Sequence, residues 1–149
     1  MHRIFAYSQL PTANFFTMPS IFSKVIAREI PSHIVAEDDD CIAFLDILPL
    51  AKGHTLVVPK KEIDYLFDVD DALLQKLVLF SRKVAKAIEK TVPCKRIGVA
   101  VIGLEVPHAH IHLIPLQSIS DINFSRPKLK LSEEELKEIA EKIKKNFIA

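Results

Sequence analysis

The chain is poor in several residue types that would point to a specialised class of protein. Its 149 residues include three glycines, two cysteines and no tryptophan, and the 20 basic residues nearly balance the 19 acidic ones. This near-neutral charge lacks the footprint of a protein that binds nucleic acid or an acidic membrane surface. Cys41 and Cys94 lie far apart without a CxxC pair, so the sequence indicates neither a zinc ribbon nor a disulfide framework. A reducing cytoplasm is the expected location.

The first seventeen residues lack a hydrophobic segment long enough to span a bilayer or to form the core of a signal peptide, because polar residues and a proline interrupt it. Met18 begins a second plausible start, after which amphipathic patterning sets in. We therefore expect an N-terminal extension over residues 1–17, either a disordered tail or a mispredicted start. A single domain is expected over residues 18–149.

Hydrophobic periodicity and turn residues predict an α+β fold. Apolar residues at helical spacing predict a short helix over 21–29, a long helix over 68–92 and a C-terminal helix over about 132–146. The last of these begins with a capping box formed by Ser132 and Glu135. Strand-like stretches occupy 33–37, 41–47, 54–59 and 96–102.

The arrangement of these stretches predicts how they assemble. The first three strands are separated by tight turns, which suggests an antiparallel meander. The run 96–102 is almost continuously apolar and suggests a central strand buried on both faces. With one further strand, described next, we expect an antiparallel sheet of about five strands with the long helix packed across it.

Three histidines on alternate residues, His108, His110 and His112, are the most informative feature of the chain. In a strand, side chains at this spacing share one face, so three imidazoles would form a row. The residues between them are apolar and would form the underside of the same strand. This run supplies the expected fifth strand.

Metal ligation and catalysis on phosphate compete as explanations of such an array, with a structural role as the third alternative. In a strand, the Cα atoms of His108 and His112 would be about 13 Å apart, which strains joint ligation of one ion. No recognisable metal spacing joins the further candidate ligands, which are His33, His54 and Glu105. An imidazole has an ordinary pKa of about 6.5 and is nucleophilic at neutral pH. His110, flanked on both sides, is the best placed to attack phosphorus.

A longer pattern surrounds these histidines. The string His108-Ala109-His110-Ile111-His112-Leu113-Ile114 alternates histidines with apolar residues, and upstream segments precede it at characteristic spacing. Those segments include Ile21-Phe22-Ser23-Lys24-Val25-Ile26, Ala43-Phe44-Leu45-Asp46-Ile47 and Gly53-His54-Thr55-Leu56-Val57-Val58-Pro59-Lys60-Lys61. Over residues 21–116 the chain resembles the Hint-type branch of the histidine-triad (HIT) nucleotide-binding proteins.

The resemblance implies a HIT-like fold and a homodimer whose sheets join. It also implies a binding site for a purine nucleotide of the AMP or GMP type. The implied activity is hydrolysis or transfer at the α-phosphate, on nucleoside phosphoramidates or related nucleotidyl substrates, with no metal or other cofactor.

Carried over by position, the resemblance also implies roles for individual residues. His110 would attack the α-phosphorus to form a nucleotidyl-histidine intermediate, while His108 and His112 would orient it and supply protons or charge. His54 would lie beside the phosphate or the leaving group, and Asp46 would accept hydrogen bonds from the ribose hydroxyls. The remaining nucleotide-binding residues would be Phe22, Val25, Phe44 and Ile47 as apolar walls for the base, with Gly103 and Glu105 before the triad.

The segment before the triad departs from the family pattern. Leu104 stands where the family usually has a glutamine, Glu105 follows it, and Glu62 stands where this branch often has another histidine. A leucine cannot donate a hydrogen bond to an oxyanion, and a carboxylate would repel one. The sequence therefore leaves open a slow hydrolase or transferase, a nucleotide- or protein-binding module with little turnover and, less favoured, a metal-binding protein.

Overall fold

A five-stranded antiparallel sheet forms the centre of the computed structural model, which describes residues 18–149. The strands are β1 (Ile34–Glu37), β2 (Cys41–Leu45), β3 (Thr55–Pro59), β4 (Arg96–Ala100) and β5 (Ile111–Leu116). The helices are α1 (Ile21–Ile26), α2 (Asp71–Thr91) and α3 (Glu133–Asn146), with 3-10 turns at Leu66–Asp68 and Ile119–Ile122. The strand order is β1-β2-β3-β5-β4, so the α+β fold and the initial meander are confirmed.

The N-terminal extension predicted for residues 1–17 lies outside the described residues. Among the helices of residues 18–149, none combines the length and the apolar character needed to cross a membrane. The cytoplasmic location stays a prediction.

Each α-helix begins at a side chain that caps its first turn. Ser20, Asp70 and Ser132 each accept a hydrogen bond from the backbone N–H three residues on, at 3.0–3.2 Å. The capping box predicted at Ser132 and Glu135 is present. Such caps satisfy donors that the helix itself leaves unpaired, which explains why the helices begin at these residues.

The sheet separates two hydrophobic clusters. On one face, α2 and α3 cover side chains such as Val57 and Leu113. On the other face, Phe22 of α1 packs in a cluster that includes Leu56. Leu56 lies directly opposite His112 in the pairing of β3 with β5, so the histidines belong to the α1 face. The alternation along each strand therefore builds the larger core on one side and, on the other, a smaller apolar cluster beside the histidines.

Residues 96–102 do not form the central strand that their apolar run predicts. β4 ends at Ala100 and lies at the edge of the sheet, because β5 inserts between it and β3. Val99 is 63% exposed, and Val101 and Ile102 beyond the strand are also exposed. Within residues 18–149, β4 pairs with β5 alone, so its outer backbone groups face no other strand.

The histidine run is strand only in part, which corrects the prediction of a strand through all three histidines. β5 begins at Ile111, so His108 and His110 precede it. The N–H of His108 instead donates to the carbonyl of Val106 at 2.8 Å, in a tight turn. The shared face holds for His110 and His112, whose ring centroids are 4.9 Å apart.

Two other predicted elements are shorter in the structure. β2 ends at Leu45, so Asp46 and Ile47 lie in the following turn rather than in the strand. α1 ends at Ile26, three residues before its predicted limit. The turn after β2 returns directly to β3, whose pairing with β2 runs from Leu45 opposite Thr55.

The turn before β3 positions His54 and depends on a glycine. Gly53 has a φ of +87°, a conformation that residues with a side chain rarely adopt. A Cβ at this position would lie 2.8 Å from Cγ2 of Val92. The carbonyl of Gly53 accepts a hydrogen bond from Oγ1 of Thr55 at 2.8 Å, which ties the turn to the start of β3.

Gly53→Ala is expected to lower the free energy of unfolding by about 2–4 kcal/mol, because positive-φ strain adds to crowding against Val92. Gly103→Ala is the matched control, since Gly103 has a φ of +71° but a Cβ there would meet nothing within 4 Å. Strain alone predicts a loss of about 1–2 kcal/mol for the control. Urea unfolding of both variants measures the difference, and equal losses would contradict a role for the contact with Val92.

Candidate active site

Four buried histidines lie together on the α1 face of the sheet. His54, His108, His110 and His112 are between 0% and 8% exposed. The ring centroids of His54 and His112 are 5.2 Å apart, because the pairing of β3 with β5 sets the two residues diagonally across the ladder. The structure therefore brings together all four histidines for which the sequence predicts a catalytic role.

The ring of His110 has one nitrogen held by the backbone. Its Nδ1 lies 2.7 Å from the carbonyl oxygen of His108. A carbonyl can only accept a hydrogen bond, so Nδ1 carries the proton and Nε2 of the uncharged ring keeps its lone pair. The ring of Phe22 packs edge-on against His110 with centroids 5.0 Å apart and restrains its orientation. This is the arrangement that a nucleophilic imidazole requires.

A relay of hydrogen bonds sets the protons of the neighbouring pair. Nδ1 of His54 accepts from the backbone N–H of Leu50 at 3.0 Å, so the proton of the neutral ring is on Nε2. That N–H donates to Nδ1 of His112 at 3.0 Å. Neutral His112 therefore carries its own proton on Nε2. The result is a hydrogen-bond donor on the ring next to His110.

Burial keeps this pair uncharged. It lowers the pKa of His54 to about 3, with smaller contributions from the neighbouring His112, which could not be protonated at the same time, and from the charge of Lys128. Burial likewise lowers the pKa of His112 to about 4, with contributions from His110 and Lys128. Both rings are therefore neutral at physiological pH, and the pair presents the N–H of His112 without adding a positive charge.

His108 is fully buried and joins the site to α1. Its Nε2 donates to the carbonyl of Pro59 at 2.7 Å, and its Nδ1 accepts from Oγ of Ser20 at 2.7 Å. The backbone N–H of Ser20 donates in turn to Oε2 of Glu62 at 3.0 Å. This hydrogen bond from Ser20 to Glu62 fixes the position of the first turn of α1. Burial lowers the pKa of His108, which favours a neutral ring with both nitrogens in use.

Asp46 lies in the turn after β2, beside the histidine pair. Its Oδ1 accepts from the N–H of Leu48 at 2.9 Å, and its Oδ2 lies 3.7 Å from Nε2 of His54. Burial raises the pKa of this carboxyl, while the hydrogen bond from Leu48 and the charge of Lys128 act in the opposite direction. The side chain remains 23% exposed, so one carboxylate is available at the mouth of the site.

The same residues are the candidates for metal ligation. Among residues 18–149, the possible ligand atoms of Asp46, His54 and His112 all lie within 4.8 Å of one another. Nε2 of His54 and Nδ1 of His112 are hydrogen-bonded to each other, so an ion would have to replace the shared proton. His33 lies elsewhere, with its Nε2 3.0 Å from Oε2 of Glu133 on α3.

Three of the four residues predicted as walls for the base lie in one cluster. Phe22, Val25 and Phe44 are all buried there, with the rings of Phe22 and Phe44 5.5 Å apart. Ile47 is 63% exposed in the turn after β2 and lies outside this cluster. Phe22 also contacts His110, so this cluster adjoins the predicted nucleophile.

The loop before the triad is exposed. Gly103, Leu104 and Glu105 all face solvent. The charge of Glu105 is a minor influence that raises the pKa of Asp46. Leu104 is 88% exposed and offers no side-chain hydrogen bond, so this loop presents only its backbone to an anion.

Sequence reasoning missed three residues of the site. Ser20 could have been found, because a serine before a helical apolar run is a typical N-cap. Phe124 and Lys128 follow β5 in a segment without periodicity, and no pattern marked them. The ring of Phe124 packs against His112 with centroids 4.9 Å apart, and Nζ of Lys128 donates to the carbonyl of Phe124 at 2.6 Å.

The free energy of unfolding should fall as the pH drops from about 6.5 towards 4. In the unfolded chain both histidines take up protons near their ordinary pKa of about 6.5, whereas the folded rings resist protonation until the pH approaches 4 for His112 and 3 for His54. Urea unfolding across this range measures the slope. The double variant His54→Gln, His112→Gln is expected to show a flatter slope, and an unchanged slope would contradict the neutral buried pair.

Comparison with known proteins agrees with this geometry. The HIT domain model matches residues 27–119. An uncharacterised HIT-like protein of Borreliella burgdorferi is 37% identical over 135 residues, which cover 85% of this chain and 97% of the relative. A crystal structure of a Hit-like protein from Bartonella henselae is 38% identical, with a TM-score of 0.75 over 86% of this chain and 96% of that one. The Saccharomyces cerevisiae protein named adenosine 5'-monophosphoramidase HNT1 is 38% identical over 64% of this chain and 61% of its own length. The chain belongs to the HIT, or histidine-triad, family.

Proposed function

We propose that this protein, as a member of the Hint-like branch, binds purine nucleotides and catalyses hydrolysis or transfer at the α-phosphate. Nucleoside phosphoramidates or related nucleotidyl compounds are the substrate class. One observation carries the proposal: the carbonyl of His108 holds Nδ1 of His110 and so leaves the lone pair of Nε2 for attack, beside a proton on His112. The activity in the name of the yeast relative supports the same chemistry.

The reaction proceeds in two displacements at phosphorus. Nε2 of His110 attacks the α-phosphorus, and the bond from phosphorus to the leaving amine breaks. The amine takes the proton of Nε2–H of His112 while solvent returns one proton to that nitrogen, so His112 stays neutral. The nucleotide then remains on His110 as a covalent adduct. Water attacks the phosphorus, its proton passes through His112 to solvent, and the nucleoside monophosphate leaves with His110 restored. This route uses no metal or other cofactor.

The surrounding residues account for nucleotide binding. The partly exposed carboxylate of Asp46 accepts hydrogen bonds from both ribose hydroxyls. The base lies along the cluster that contains Phe22, Val25 and Phe44, with Ile47 at the exposed rim. Gly103 and Glu105 border the nucleotide on the loop before the triad.

His110→Ala is expected to reduce turnover of an adenosine phosphoramidate by at least about 1,000-fold, because the variant lacks the attacking nitrogen. Steady-state release of AMP measures the loss. Mass spectrometry of quenched wild-type protein should detect an adduct with the mass of one nucleotidyl group, absent from the variant. His33→Ala is the control, because His33 contacts Glu133 outside the triad. Undiminished turnover by His110→Ala would contradict the mechanism.

The same turnover assay tests two alternative functions, a metal-binding protein and a nucleotide-binding module, each of which has one observation in its favour. The clustering of Asp46, His54 and His112 is the argument for a metal site, and activity abolished by a chelator would contradict the metal-free route. The exposed Leu104, which supplies no donor, is the argument for a binding module. Nucleotide binding without turnover would support that module instead of the enzyme.

We also propose that two copies of the chain associate into a homodimer whose sheets join. β4 supports this, because it is an edge strand with free outer backbone groups among the described residues. Its Val99 is 63% exposed. Apolar side chains beside an open strand edge favour pairing with another strand.

Val99→Lys is expected to shift the protein from dimer to monomer, because a lysine on an edge strand opposes pairing with a second edge. Sedimentation velocity of the variant and wild type measures the change. Ile119→Lys is the matched control, since Ile119 is 91% exposed in the 3-10 turn after β5. A wild-type monomer, or a Val99→Lys dimer of unchanged strength, would contradict the joined-sheet arrangement.

A further inference from the structure

The segment after β5 brings a lysine to the site. The ring of Phe124 packs edge-on against His112 and His54, with centroids 4.9 Å and 6.2 Å away. Nζ of Lys128 lies 5.3 Å from the centroid of the same ring and donates to the carbonyl of Phe124 at 2.6 Å. The aromatic ring and the carbonyl together hold the ammonium beside the histidine pair.

The charge of this ammonium reaches the polar groups at that end of the site. Although burial is the larger cause in both rings, Lys128 further lowers the pKa of His54 and of His112. It also opposes the rise that burial produces in the pKa of Asp46. Lys128 is therefore close enough to interact electrostatically with a charged ligand bound beside His54, His112 and Asp46.

Within residues 18–149, the other polar side chains of the site supply little positive charge. His54 and His112 are neutral at physiological pH, Leu104 has no donor and Glu105 is an acid. A phosphate bound for attack is anionic, and a site that stabilises it needs hydrogen-bond donors or a cation aimed at its oxygens. The loop before the triad supplies neither from its side chains.

We propose that Lys128 is the phosphate-binding cation of this site and contacts the non-bridging oxygens of the α-phosphate at His110. An ammonium has three donors, so the bond to the carbonyl of Phe124 can remain while the other two engage phosphate. The flexible four-carbon stem supplies the reach. This assignment rests on the proposed function, since it concerns the substrate of the same site.

Binding of AMP and of adenosine, measured by isothermal titration calorimetry, tests the assignment because the two ligands differ only in the phosphate. Lys128→Met is expected to weaken AMP about 10- to 100-fold, the range for loss of a charge-assisted hydrogen bond, and to leave adenosine unchanged. Lys128→Arg, which keeps the charge, should retain most of the affinity for AMP. Lys130→Met is the matched control, because Lys130 is exposed two residues further along the same segment and should bind both ligands as wild type does.

Other outcomes overturn the assignment. Equal weakening of AMP and adenosine by Lys128→Met would assign Lys128 a structural role. Unchanged AMP affinity in Lys128→Met would show that Lys128 does not contact the phosphate. In these cases His110-dependent turnover by the wild type would leave the proposed function standing. A wild-type protein that neither binds AMP nor turns over the phosphoramidate would refute both.

Discussion

The buried imidazoles depend on backbone groups that fix where each ring carries its proton. A histidine removed from water must satisfy its nitrogens within the protein, and the chemical nature of each partner decides which nitrogen donates. A carbonyl partner makes Nδ1 of His110 the donor, and an N–H partner makes Nδ1 of His54 the acceptor. These two backbone contacts, one with a carbonyl and one with an N–H, give chemically identical side chains opposite tautomers.

The fold supplies those backbone groups at its turns and strand ends. The turn that contains Leu50 is closed by Gly53, and Pro59 offers its carbonyl to His108 from the end of β3. The two ends of the site also differ in charge. Glu62 holds the start of α1 at the His108 end, while Lys128 lies at the opposite end beside His54. The acidic and the basic side chain therefore lie at opposite ends of the row of histidines.

Local sequence patterns predict the individual helices and strands better than they predict which strands lie side by side in the sheet. The cap at Ser132, the helical stripes and the alternation of His110 with apolar residues depend on contacts within a few residues, and the structure contains them. The apolar run of β4 wrongly predicts a place at the centre of the sheet, because an apolar sequence does not reveal which strands flank it. The insertion of β5 between β3 and β4 is a long-range choice that local periodicity does not encode.

The sequence by itself determined that three histidines alternate beside an apolar core and that His110 is flanked by the other two. It also showed that the usual side-chain donors are missing before the triad. Only the tertiary structure decided which nitrogen of each ring is protonated, because the partners come from Leu50, His108 and Pro59 through folding. The approach of Lys128 was likewise invisible in the sequence. It depends on Phe124 packing against a histidine pair formed by two different strand regions, and no local pattern reports such a contact.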